Sequence, residues 1–148
     1  MQLGQSTLIA VLLFLLHISP SYSQNTKLLD NWLEFCPSEQ LCFERPKNLI
    51  PNQQPIIDSI AGQLDSESFT LFYDLGFYTA TFKELSSATS EPITIDGHLG
   101  KILIQQNKMA LTIPTVSGKI GFSMLIEFSH TEQLEQGKRI FKSVKFNL

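Results

Sequence analysis

The stretch Ile120 to Phe128, "IGFSMLIEF", constrains this chain more than any other. Ile120, Phe122, Met124, Ile126 and Phe128 fall on every second position. A period of two puts all of them on one side only if the backbone is extended, so the segment belongs to a sheet with one face buried. Between them, Gly121 and Ser123 are small, which suits either a close neighbour or solvent on the other face. The same alternation recurs in Phe69, Leu71 and Tyr73, and again in Met109, Leu111 and Ile113. A strand beginning at Ile56 precedes them, with the polar run Asp65-Ser66-Glu67-Ser68 as the turn to the next. Asp96-Gly97 marks a tight hairpin, because both central positions of a type I′ turn need positive φ.

The two ends read differently. In residues 25–34, "NTKLLDNWLE", Leu28, Leu29, Trp32 and Leu33 have helical spacing, and Asn25 or Thr26 can cap them. Near the other end, Ser129 and Glu132 fit a capping box, and Glu135 and Arg139 are spaced as an i,i+4 pair. Leu134, Gly137, Ile140 and Phe141 form the apolar stripe of this helix. Its acids come early and its bases late, the order that suits the helix dipole, so its charged face reads as solvated and not as a basic docking patch. "SVKFNL" follows as a last strand. Pro46, Pro51 and Pro55 allow an edge strand or extended loop. Lys83 to Pro92, rich in Ser and Thr, reads as a surface loop. The expected fold class is α+β, an antiparallel β-sheet with helices packed against it.

The apolar run Leu8 to Leu16 is short for a membrane span and has the length of a signal-peptide core. With small residues at Ser21 and Ser23, residues 1–23 are expected to be a signal peptide cleaved before Gln24, and residues 24–148 a single exported domain, periplasmic or secreted. In that compartment Cys36 and Cys42, the only cysteines, are expected to form a structural disulfide. A zinc site needs four ligands, and His98 and His130 lie far off in sequence; a redox pair needs tighter spacing. A net charge of −3 argues against nucleic acid. No cofactor or metal site is implied, and no stable membrane insertion is expected once the signal is removed.

The order of "FERPKNLIP", "DSIAGQL", "FTLFYDLGFYT", "ITIDGHLGKILI" and a closing "IFKSVKF" resembles the exported members of the superfamily that includes the photosystem II extrinsic protein PsbP and the Ran-binding Mog-type proteins. The matching motifs are Asp74 with Gly76, Ile95-Asp96-Gly97, and Ile140-Phe141-Lys142-Ser143. The resemblance implies a PsbP/Mog-like α/β/α sandwich and a role in binding more than catalysis. It brings no catalytic residue, and "NTKLLDNWLEFCPSEQLC" has no counterpart in it.

No catalytic motif is present. Asp96 and His98 read as turn residues, and Asp58, Asp65 and Glu67 as a solvated turn. The most unusual feature is Leu71 to Phe82, which crowds Phe72, Tyr73, Phe77, Tyr78 and Phe82 together. Trp32, Phe77 and Tyr78 are the candidate partner-binding residues. The leading expectation is a non-enzymatic domain that binds another exported or envelope protein or assists envelope assembly, an inhibitor or immunity protein among the forms it could take. One alternative is a carrier of a small apolar ligand or lipid in a cavity lined by Met109, Phe122 and Met124. Another is a small hydrolase in which Asp74, Asp96 and His98 meet.

Overall fold

The computed structural model describes residues 31–52 and 58–148. The expected signal peptide and its expected cleavage position, the Leu28–Leu29 half of the expected first helix and the expected strand start at Ile56 lie outside these residues.

The described chain is built mainly of antiparallel strands: β1 (Trp32–Ser38), β2 (Leu41–Pro46), β3 (Ile50–Asn52), β4 (Ile60–Asp65), β5 (Phe69–Gly76), β6 (Thr89–Ile95), β7 (His98–Gln105), β8 (Lys108–Ser117), β9 (Ile120–Phe128) and β10 (Lys145–Phe146). A single α-helix, α1 (Leu134–Ser143), is found among the described residues. Seven strands form one sheet in the order β3-β4-β5-β9-β8-β7-β6, and a second sheet runs β1-β2-β10. Alternation decides the faces of the large sheet. Phe69, Leu71, Tyr73 and Leu75 of β5 oppose Phe128, Ile126, Met124 and Phe122 of β9, and all eight are buried on the inner face.

This corrects the expected α+β class and, with it, the expected helix-covered PsbP/Mog-like sandwich. Helices do not cover the sheet; the small sheet and the ten-residue α1 together cover its inner face. Two misread segments account for the difference. Trp32 to Glu34 lie in β1, paired with β2, and not in a helix. Trp32 and Leu33 continue the helical spacing of Leu28 and Leu29 in the sequence, but as neighbours in a strand they point to opposite faces, Trp32 partly buried and Leu33 exposed. Phe35 meets Phe43 and Tyr73 at ring separations of 5.3 and 6.2 Å, while Trp32 lies under the Arg139 guanidinium at 4.1 Å. The second segment is the expected loop at residues 83–92. It holds a 3-10 turn at Lys83–Leu85, but from Thr89 onward it is β6. Pro92 is tolerated there because β6 is an edge strand, as β3 is around Pro51.

Other expectations hold. Ser66 donates to the Phe69 carbonyl in the β4–β5 turn. Asp96 and Gly97 both have positive φ, 49° and 83°. Cys36 and Cys42 are joined by a disulfide that bridges β1 and β2 close to their turn. The expected Ser129–Glu132 capping box does not form; instead the His130 amide donates to the Gln133 side-chain oxygen at 3.1 Å and the Gln133 amide to the His130 carbonyl at 3.0 Å, ahead of α1. Gly137, Ile140 and Phe141 are buried on the inner stripe of the helix. Ser143 ends α1 by joining it to the small sheet, its hydroxyl accepting the Glu44 amide at 2.8 Å and donating to the Ile140 carbonyl. Aromatic edges stitch the layers together. Phe43 meets Tyr73 at 5.5 Å, and Phe146 meets Phe122 at 5.2 Å.

Candidate functional site

The outer face of the large sheet carries the exposed aromatic residues. Along it the register sets Phe72, Leu125, Ala110 and Leu103 in one row, and Asp74, Ser123, Thr112 and Lys101 in the next. After Gly76 ends β5, the chain turns back over this face. Gly121 makes room for the crossing, since a Cβ there would stand 2.8 Å from the Pro114 carbonyl oxygen and 3.0 Å from the Thr79 hydroxyl. The Ala80 amide donates to the Ser123 hydroxyl at 3.2 Å. Phe82 then buries its ring with Leu85, Leu103 and Ala110 in a second, smaller core. Its backbone is left-handed, φ 51°, a conformation that costs a bulky residue on the order of 1–3 kcal/mol and is offset by burial of the ring.

Two residues of this crossing stay outside. Phe77 is 64% exposed and Tyr78 95% exposed, next to one another and just ahead of the Thr79–Phe82 anchor. Leu99, 78% exposed, lies on the same face at the same end of the sheet, because it alternates with Lys101 and Leu103 on β7. The crowded Leu71–Phe82 stretch is therefore divided. Leu71 and Tyr73 fill the inner core, Phe82 fills the outer one, and Phe77 and Tyr78 form a knuckle that faces solvent.

The remaining sequence candidates lie elsewhere. Trp32 is half-buried against the core beneath Arg139, which also binds Glu44 at 2.9 Å. Met109, Phe122 and Met124 are fully buried, and α1 brings Gly137 so close to the Met109 sulfur that a Cβ would overlap it. At that point sheet and helix are in direct contact, Met109 against Gly137. Asp74 faces Ser123 across β5 and β9, with Oδ1 buried and unpartnered. Asp96 instead accepts the Phe146 amide at 2.8 Å, and the His98 ring meets Phe146 edge-on at 5.5 Å. Strands β9 and β8 stand between β5 and β7, so Asp74 does not join Asp96 and His98. Asp65 is held by Gln63 and Asn52 at 2.8–2.9 Å, and the Gln63 bond keeps its carboxyl below the usual range. No three His, Cys, Asp or Glu side chains converge as metal ligands among the described residues.

Thr81, Phe82 and Lys83, which follow the knuckle along the chain, line a pocket of about 440 Å³ that sequence reasoning missed. Phe82, Leu85 and Leu103 supply apolar walls, and Lys83, Lys101 and Ser90 stand among its polar lining. The sequence held one usable signal, Lys101 between Leu99 and Leu103 on the outward positions of β7. The fold-back that brings Lys83 to it depends on a left-handed phenylalanine, which no local pattern announces. No protein-family model matches the chain, and a search of the curated proteins finds no match.

Proposed function

We propose that this protein is an exported, non-enzymatic domain that binds another exported or envelope protein through Phe77 and Tyr78. One observation carries the reading: two adjacent large aromatics are left in solvent on a segment anchored to the sheet by Ser123 and by the buried Phe82 ring. Aromatic side chains of this kind dominate interface energetics, and anchoring them in advance reduces the ordering cost of association. The Cys36–Cys42 disulfide suits an oxidising compartment.

The test is affinity capture from envelope extract of the source cells, using the oxidised protein. The expected result is one partner in near-equal amount, lost with Phe77→Ala/Tyr78→Ala and kept with a control change at Ile50, an exposed apolar residue on the distant edge strand β3. Capture that survives the double change would sink the proposal.

A further inference from the structure

The pocket that follows the knuckle along the chain is lined by two lysines and by no acidic side chain. Lys108 is paired with Glu127 at 2.6 Å, Arg139 with Glu44 at 2.9 Å, and Lys138 and Lys145 with Glu135 and Glu34 at 4.0 Å. Lys47, Lys83, Lys101, Lys119 and Lys142 have no such partner among the described residues, and of these Lys83 and Lys101 together line one concavity with Ser90 and an apolar floor. Acids nearby do not answer them. Glu84 lies in the same 3-10 turn as Lys83 but does not line the pocket. Glu91 opposes Ile102 and so belongs to the other face, and Asp74 is separated from Lys101 by Ser123 and Thr112 along their row. The Thr112 hydroxyl beside Lys101 in that row is buried and unpartnered.

From this charge complementarity we infer that the pocket receives an acidic segment of the partner protein, one carboxylate reaching Lys83 and Lys101 while a neighbouring apolar side chain rests against Phe77 and Tyr78. The inference rests on the protein-binding reading above. A carboxylate on an apolar stem matches the lining, two ammonium groups and hydroxyls over Phe82, Leu85 and Leu103. A flat anionic membrane matches it less well: the site is concave, and the chain as a whole carries a net charge of −3, which such a surface repels.

The experiment titrates isotope-labelled, oxidised protein with two probes, acetyl-Glu-Leu-Phe-Glu-amide and its Gln-for-Glu counterpart, following backbone amide shifts. The acidic peptide should bind about tenfold more tightly, as expected for charge-assisted bonds. Its shifts should map to Lys83, Ser90 and Lys101, and Lys83→Gln/Lys101→Gln should abolish the preference. Equal binding of the two peptides, or shifts confined elsewhere, would overturn the inference. Lysine-dependent binding to phosphatidylglycerol vesicles with no peptide response would overturn it in favour of a membrane. Failure here is distinct from failure of the broader reading. If capture is lost with Phe77→Ala/Tyr78→Ala but unchanged with the lysine variant, the acidic partner falls and the aromatic surface stands. If the acidic peptide binds the pocket while capture ignores the aromatic change, the pocket stands and the knuckle reading falls.

Discussion

The Ala80 amide and the Ser123 hydroxyl, 3.2 Å apart, join the aromatic knuckle to the centre of the large sheet. Ser123 lies on β9 and is buried, so the bond fixes the crossing segment to one of the most enclosed strands of the molecule. Replacing Ser123 with Ala removes the acceptor and leaves the Ala80 amide without it. The expected cost is about 1 kcal/mol of stability, read from denaturant unfolding. Hydrogen exchange at Ala80 should quicken more than exchange in β9 itself, and partner capture should weaken although Phe77 and Tyr78 are intact. Unchanged exchange at Ala80 would mean that Phe82 alone holds the segment.

Gly121 tests the same anchorage by crowding. A Cβ at this position meets the carbonyl oxygens of Pro114 and Ile113 and the Thr79 hydroxyl at 2.8–3.0 Å. Two of these are backbone atoms that cannot rotate away. Gly121→Ala should therefore destabilise the domain by about 1–3 kcal/mol, the usual range for overpacking. It should also shift the amide resonances of residues 79–82. A neutral effect on unfolding would show that the crossing segment stands further from the sheet.

Much of the large sheet was legible because a half-buried strand writes its faces into the sequence. Ile120 to Phe128 could be oriented from alternation alone, while Gly121 and Ser123 left a close neighbour and solvent equally open on the other face, where the structure places the crossing segment. The small sheet was not legible, for a physical reason. Leu28, Leu29, Trp32 and Leu33 have the spacing of a helical stripe, but Leu33 is exposed in β1, so its apolar character marks no buried face. In β6, exposed along most of its length, Glu91 and Pro92 gave no apolar face to read. Exposure of Phe77 and Tyr78 against burial of Phe82 could not be told from composition, because all three are large aromatics in one short span. The left-handed turn at Phe82 makes the division.

Trp32 offers an optical test of the joint between the small sheet and α1. It is the only tryptophan, and its ring lies 4.1 Å from the Arg139 guanidinium. Arg139→Ala removes that cover and the bond to Glu44, each worth about 0.5–1 kcal/mol at a partly exposed site. Tryptophan emission should move to longer wavelength, with a modest fall in the unfolding midpoint. Arg139→Lys should recover only part of both, since lysine lacks the planar face that covers the ring. No change in emission would place Trp32 outside the reach of Arg139.

The pH dependence of stability has two separable contributions of opposite sign. Asp65 has its carboxyl held below the ordinary value of 3.8, chiefly by the Gln63 side-chain bond, with Asn52 and Thr70 adding to it against the cost of burial. A lowered folded-state value means the contribution is present above the unfolded value and is lost as pH falls through the folded one. Acid unfolding below pH 4 should therefore be less steep in Asp65→Asn. Tyr73 is the reverse case. Burial raises its phenol above the ordinary value of 10.0. Its contribution is complete below that value and is lost as pH rises through the raised one, because only the unfolded chain ionises readily. Tyr73→Phe should keep the ring contacts with Phe35 and Phe43 and make the unfolding midpoint less dependent on pH above 10. Denaturant midpoints at pH 2.5, 6 and 11 for the wild type and the two variants separate the cases. An acid limb unaffected by Asp65→Asn would show that the Gln63 bond does not hold in solution. An alkaline limb unaffected by Tyr73→Phe would show that the Tyr73 hydroxyl reaches water.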